Sequence, residues 1–327
     1  MSSPDAILRQ SQSYTQEDPA RTRWHILTTL LALVACATLI VLTTWWPLRL
    51  LQSVVFALLL VRAFVIYHDV QHGAILRGAS RMKWGAKLFG ILILSPAGVW
   101  RQTHDHHHRN VGRIQPESIG TFPVMTSAAW AKAGRGTRLG YIMQRHALTL
   151  AAGYLTVFVF SMCLRPLFLN PRRHLDSGVA ILVHTALVTT LALFAPALLL
   201  FLVIVPMTIA CALGSYLFYA QHNFPKVRLT TGDEWDFVGS ALDSSSYLVM
   251  GPVMRWFTGN IGYHHVHHVN PKIPFYRLPE AMNAIPELQQ PNTTTLWPHE
   301  IWKCLRLRLW DEAGQRMVQA PAWWARA

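Results

Sequence analysis

"LQSVVFALLLVRAFVIYHDVQH", residues 51–72, carries two signals in one segment. Leu51 to Tyr67 is apolar over a length approaching the ~20 residues that take a helix across the hydrocarbon core of a bilayer. The five residues that follow hold two imidazoles four positions apart, His68 and His72, and a helix places such a pair on one face. A membrane crossing that ends in a histidine pair predicts an all-α, polytopic membrane protein with its chemistry at the membrane boundary.

The rest of the chain extends that pattern. Of 327 residues 52% are hydrophobic and only 14% charged, a composition that excludes an ordinary water-soluble globule. Four transmembrane helices are expected, at about 26–46, 51–67, 179–194 and 198–219. Trp45, Trp46 and Pro47 turn the first hairpin, with the Trp rings at the interface, and the uncharged "FAPA" at 194–197 turns the second. Leu148 to Leu164 and the shorter Leu88 to Val99 are also apolar. Arg165, Arg172 and Arg173 follow the longer of the two, and basic connections belong on the cytoplasmic side. Both runs are therefore expected to dip into the membrane or lie along it. This arrangement puts both termini and every dense histidine cluster on the cytoplasmic side of a membrane, expected to be a bacterial inner membrane.

Residues 1–23 are polar and lack apolar periodicity, which predicts a flexible arm ahead of a single domain at 24–327. The first apolar stretch exceeds the ~7 to 15 residues of a signal-peptide core and follows this arm, so it is expected to stay as an anchor. Trp297 to Trp324 mixes Trp, Leu and Arg and suits an interfacial helix. Cys36, Cys163, Cys211 and Cys304 show no paired spacing, which argues against a disulfide framework or a Cys-rich zinc site. Residues 68–147 hold eleven basic side chains against three acidic ones. In a lipid-embedded frame this charge faces headgroups or an acidic partner, and no nucleic-acid partner is expected.

Nine of the sixteen histidines form a pattern. His68 and His72 close the second crossing. In "HDHHH", His104, His107 and His108 follow an i, i+3, i+4 rule, and His264, His267 and His268 in "YHHVHHVN" repeat it. His222, in "YAQHNF", lies just past the fourth crossing. Four segments thus present imidazoles at one membrane depth. Imidazole is a good ligand for iron, zinc and copper, and nine rings exceed a closed zinc site but suffice for two adjacent metals. Two irons suit them best, since zinc has no redox chemistry. His106 and His265 break the spacing rule, and His25, His146, His174, His184 and His299 are isolated, so none of these is expected to ligate. Asp69, Asp105 and Asp236 are candidates to accept a ligand's second ring N–H and so orient it. Asn260, one turn before His264, is a candidate for the same role or for a helix cap.

These boxes and the text around them resemble the integral-membrane fatty acid desaturases, most closely the acyl-lipid type. The likeness runs from about Val65 to Glu312 and rests on "HDVQHGAILR", "SPAGVWRQTHDHHH", "FYAQHNF" and "WFTGNIGYHHVHHVNPKIPFYRLPE", with "LRLRLWDE" near the end. The resemblance implies four crossings under a cytoplasmic histidine cap that holds two irons. It implies an enzyme that uses dioxygen as co-substrate and two electrons to remove two hydrogens from an unactivated acyl chain. The implied ligands are His68, His72, His104, His107, His108, His222, His264, His267 and His268. Stearoyl-type relatives carry an asparagine where this chain has Phe218, which removes a water-mediated tenth ligand. The first box has three intervening residues where that type has four, which favours the acyl-lipid branch. No His-Pro-Gly-Gly motif of a fused cytochrome b5 occurs, so a separate donor is implied, a ferredoxin or cytochrome b5, acting with a fatty acyl lipid and the membrane lipids.

Two other readings compete. A hydroxylase or ketolase acting on a carotenoid or alkane would use similar boxes, although the text around the third box favours desaturation. A metal transporter would need ionisable residues along its crossings, and these carry chiefly Arg62 and His184. An acyl chain is expected to thread an apolar tunnel, with Tyr247 to Phe257 among the candidates to line it.

Overall fold

The computed structural model describes residues 3–115, 119–230 and 232–324. Four helices in it are long and apolar enough to cross a membrane: Pro19–Leu42, Trp46–His72, Leu175–Phe194 and Pro196–His222. The first two form a hairpin. Pro47 lies in the opening turn of the second helix, where a missing N–H costs nothing, and Trp45 and Trp46 stand exposed at the bend. The second pair turns at Ala195, and its last helix is π-helical over Leu199–Ile204 before becoming α-helical from Val205. Large apolar side chains such as Leu31, Val34, Leu182 and Phe194 point outward unpaired, as lipid-facing residues do and water-facing ones rarely do.

The second span does not stop at Tyr67. Its hydrogen bonding continues through His68 and His72 to Gly73, which closes it at φ 67°, a left-handed conformation that glycine adopts without a Cβ clash. The first box is thus built on a rigid membrane helix. The helices Ser80–Leu92 and Ala97–Arg109 follow, and the second carries the second box. Leu148 to Leu164 becomes the short helix Ala147–Ala151 and a π-helical stretch, Tyr154–Leu164, that runs into Arg165–Leu169. The apolar helix so formed, Tyr154–Leu169, is shorter than a full crossing. Tyr154 and Cys163 pack with Ala180, Val203, Met207 and Cys211 of the second pair of spans. All four cysteines are free and buried.

Two expectations are corrected. The N-terminal stretch is not an unstructured arm but holds a helix, Pro4–Gln12, capped by Ser3, whose Oγ accepts the Ala6 N–H. Ile7 enters the core beneath the cap, Ser11 is fully buried, and its Oγ accepts from Asn270 Nδ2 at 2.9 Å. Glu17 accepts the Leu76 N–H at 2.8 Å. A polar segment can be ordered by polar partners on another element, and composition does not reveal those partners. The second correction concerns Trp297 to Trp324, where only Pro298–Arg306 is helical. Leu309–Asp311 then pairs antiparallel with Arg316–Val318 and parallel with Met125–Thr126. Of "LRLRL", residues 305–309, the first two stay in the helix and only Leu309 enters the strand, whose parallel partner Met125 is distant in the chain.

Candidate metal centre

The nine patterned histidines converge on two adjacent groups. His68, His72, His104, His108 and His267 form one, and His107, His222, His264 and His268 the other. The second box explains the division. On the helix Ala97–Arg109, His104 and His108 share a stripe while His107 is turned toward the neighbouring group, so one helix serves both. The helix His264–Val269, every residue of it buried, divides its rings similarly.

Within each group ring nitrogens face ring nitrogens. His104 Nε2 lies 3.1 Å from both His68 Nε2 and His108 Nε2, and His108 Nε2 is 3.1 Å from His267 Nε2. In the other group His222 Nε2 is 3.1 Å from His107 Nε2 and 2.9 Å from His264 Nε2, which is 3.1 Å from His268 Nε2. The groups abut where His108 and His268 stack at 4.2 Å. A proton can bridge some of these pairs, but several lone pairs converging in each group repel unless a cation lies among them. Metal–imidazole bonds are about 2.1 Å, so two nitrogens at right angles around one ion stand about 3.0 Å apart and two at a tetrahedral angle about 3.4 Å. The observed spacing matches the right-angled case, so the donor set fits metal ions with more than four coordination positions. Burial, reinforced by the neighbouring imidazoles, holds the rings of His104, His107, His108, His264, His267 and His268 well below the usual histidine range, and they are neutral at physiological pH.

Of Asp69, Asp105, Asp236 and Asn260, only Asp69 meets a ring nitrogen among the described residues. Asp69 is fully buried; one of its oxygens is 3.1 Å from His68 Nδ1, and the other accepts the Phe275 N–H at 2.7 Å. Asp105 is only half-buried, and among the described residues its carboxyl meets no ring nitrogen; burial raises its affinity for a proton, against Arg109 and Arg101 nearby. Asp236 caps the helix Phe237–Asp243 by accepting the Gly239 N–H at 2.8 Å. What His222 Nδ1 meets instead is the Ser244 carbonyl, 2.9 Å away at the far end of that helix. Asn260 Nδ2 donates to the Phe275 carbonyl at 3.2 Å and does not reach His264.

His106 and His265 stand outside both groups, and His265 Nε2 bonds the Leu288 carbonyl at 3.0 Å. His25, His146, His174, His184 and His299 also lie apart. Two aromatic rings wall the groups, and of these Trp100 went unnoticed in the sequence. Trp100, buried one turn before His104, lies 4.3 Å from that ring, 5.3 Å from His68 and 5.4 Å from His72. Its i, i+4 spacing to His104 was the available signal. Phe218 sits 5.0 Å from His107 and 5.6 Å from His222, and an apolar ring there supplies no ligand atom. A cavity opens beside the second group, bounded by His107, His222, Phe218, Phe122 and Arg145. Tyr247 to Phe257, the expected tunnel wall, does not line this cavity. Tyr247–Val249 pairs with Thr293–Thr295 behind the third box, and Trp256 and Phe257 face a groove between the first two spans.

Comparison with known proteins agrees with this geometry. The chain is 29% identical over 277 residues to a fatty acid desaturase of Bacillus subtilis (strain 168), which covers 84% of this chain and 78% of the relative. It is 27% identical over 242 residues to the sn-1 acyl-lipid omega-3 desaturase (ferredoxin) of Synechocystis sp., covering 68% and 63%. It is 24% identical over 333 residues to the omega-6 fatty acid desaturase, endoplasmic reticulum isozyme 1, of Glycine max, covering 94% and 80%. The fatty acid desaturase family matches residues 43–299, a range that contains all nine converging histidines. The chain belongs to the fatty acid desaturase family and is a desaturase enzyme of four apolar helices with clustered histidines.

Proposed function

We propose that this enzyme introduces a carbon–carbon double bond into a lipid-linked fatty acyl chain, using dioxygen and two irons. The observation that carries the reading is the pair of adjacent imidazole groups, five rings and four, whose ring nitrogens lie within 4.8 Å of one another in each group and approach to 2.9–3.1 Å at the closest pairs. His68, His72, His104, His108 and His267 would hold one iron, and His107, His222, His264 and His268 the other. When bound, the irons supply the oxidising power that a methylene without an acidic proton requires, which acid–base catalysis alone cannot.

The protein's own residues prepare the site. Asp69 accepts the Nδ1–H of His68, and the Ser244 carbonyl that of His222, so each ring keeps an Nε2 lone pair directed inward. Burial keeps the rings unprotonated, and Trp100 and Phe218 pack against His104 and His107. A small cavity lies beside His107 and His222, with Phe218 and Phe122 on its apolar side. Electrons come from a separate ferredoxin or cytochrome b5, and the ferredoxin in the name of the Synechocystis relative favours the former. The histidine cap and both termini face the cytoplasm, as the basic connections direct.

Expression in a bacterium with fatty acid profiling by gas chromatography and mass spectrometry tests the reading. New products two hydrogens lighter than their precursors are expected. Products carrying an added oxygen would turn the assignment to hydroxylation, and purified protein without iron would remove the metal assignment.

A further inference from the structure

We propose that Asn260 is a positioning residue for the five-histidine metal group, acting on His68 through Phe275 and Asp69. The inference rests on the ligand assignment above and adds to it a residue that touches no ligand.

The connection is continuous. Asn260 Nδ2 donates to the Phe275 carbonyl at 3.2 Å, the Phe275 N–H donates to one oxygen of Asp69 at 2.7 Å, and the other oxygen of Asp69 meets His68 Nδ1 at 3.1 Å. Phe275 is therefore gripped at both of its backbone polar groups, from one side by the second span and from the other by the turn ahead of the third box. Residue 275 has no regular ladder to fix it. It opens a single 3₁₀ turn, and Pro274 before it has no N–H to contribute. The Asn260 amide thus supplies the lateral restraint that keeps the Phe275 N–H aimed at Asp69.

Backbone conformation explains why an asparagine stands here. Asn260 has φ 56° and the preceding Gly259 φ 52°, two consecutive left-handed residues. Glycine and asparagine occupy that region most readily, and only asparagine brings a donor. The turn has no room to drift. A Cβ on Gly259 would meet Val65 Cγ1 at 2.8 Å, and Val65 lies one turn before His68 and Asp69 on the same helix. On the other side, the Ile261 carbonyl accepts from Gln221 Nε2 at 2.8 Å, next to His222. The turn is wedged between the spans that carry the first box and His222, and Asn260 is its link to the first.

The test compares Asn260→Gly, which keeps the left-handed backbone and removes the amide, with Asn260→Asp, which keeps the shape but presents a carboxylate that cannot donate. Both are made in the full-length protein, alone and together with Asp69→Asn. Iron content, the rate at which a chelator strips iron, and Mössbauer spectra of iron-enriched protein are read, and activity is not needed. Outer hydrogen-bond partners are worth about 10–100-fold in metal affinity, so stripping of one iron about tenfold faster is expected, with that iron's Mössbauer signal altered and the other's unchanged. With Asp69→Asn already present, the Asn260 substitutions should add nothing further.

Unchanged stripping and spectra in both variants would overturn the proposal. So would equal loss of both irons from folded protein, or full additivity with Asp69→Asn, since either means that Asn260 supports the turn in general. If Asn260→Gly fails to fold, Asn260→Asp decides. Wild-type protein without iron would defeat the ligand assignment itself, and this inference with it, a result distinct from each of the others.

Discussion

His267 illustrates how much depends on single side chains here. It is fully buried, and its Nε2 lies 3.1 Å from His108 Nε2. His267→Ala should abolish new double bonds while the protein stays in the membrane, checked by fatty acid profiling beside an immunoblot of the membrane fraction. The two aspartates at Asp69 and Asp236 should behave oppositely. Asp69→Asn should lower iron affinity about 10–100-fold, measured by competition with a chelator. Asp236→Ala should leave iron content unchanged and cost about 1 kcal/mol of stability through a lost helix cap, measured by thermal melting in detergent. The titration of the buried rings gives a further test. Folding holds His264, His267 and His268 well below their ordinary value of 6.5, so as pH falls the unfolded chain binds more protons than the folded one. Iron-free protein should therefore keep its stability above about pH 6.5 and lose it progressively below. A melting temperature indifferent to pH in that range would contradict the burial argument. That histidines at 104, 107 and 108 share one helix was legible from spacing, because i, i+3, i+4 is a property of the helix itself. That Asp69 meets a ring nitrogen while Asp105 does not was illegible, because both simply follow a box histidine in the chain.

At the scale of elements, side-chain hydrogen bonds tie the cap to the membrane spans. Arg62, on the second span and fully buried, donates to Thr29 Oγ1 at 3.0 Å on the first span and to the Trp256 carbonyl in the cap, and stacks 4.0 Å from the Trp256 ring. Its role is thus a tie between three elements, which explains an arginine in an apolar helix without a transport path. Gly262 marks another close approach. A Cβ there would lie 2.5 Å from the Leu248 carbonyl and 2.9 Å from Met250 Cε. Gly262→Ala should therefore push the third box away from the strand Tyr247–Val249, destabilising the protein by about 1–3 kcal/mol, read as a lowered melting temperature. The spans were legible in the sequence because hydrophobic length is a local quantity. The N-terminal helix and the hairpin after Arg306 were not, since each is held by contacts to distant residues, Ser11 to Asn270 and Met125 to Leu309.

For the molecule as a whole, the two imidazole groups draw distant segments together. Their rings come from the second span, the helix Ala97–Arg109, the end of the fourth span and the helix His264–Val269. Binding energy that exists only in the folded state adds to folding stability. Stripping iron with a chelator should accordingly lower the melting temperature by several degrees, and restoring ferrous iron should recover it. Without cations the converging nitrogens repel one another, so the four segments would be expected to loosen first at the cap and last in the spans.

The amino-acid sequence alone determined the membrane helices, the three boxes and the family, because each is written in neighbouring residues through hydropathy or helical spacing. Only the tertiary structure decided how nine rings divide into five and four, and which carboxylate meets one of them. The reason is distance along the chain: the bond that makes Asp69 a partner of the site comes from Phe275, 206 residues away. Local periodicity cannot encode such a contact, because it exists only once separate helices have packed.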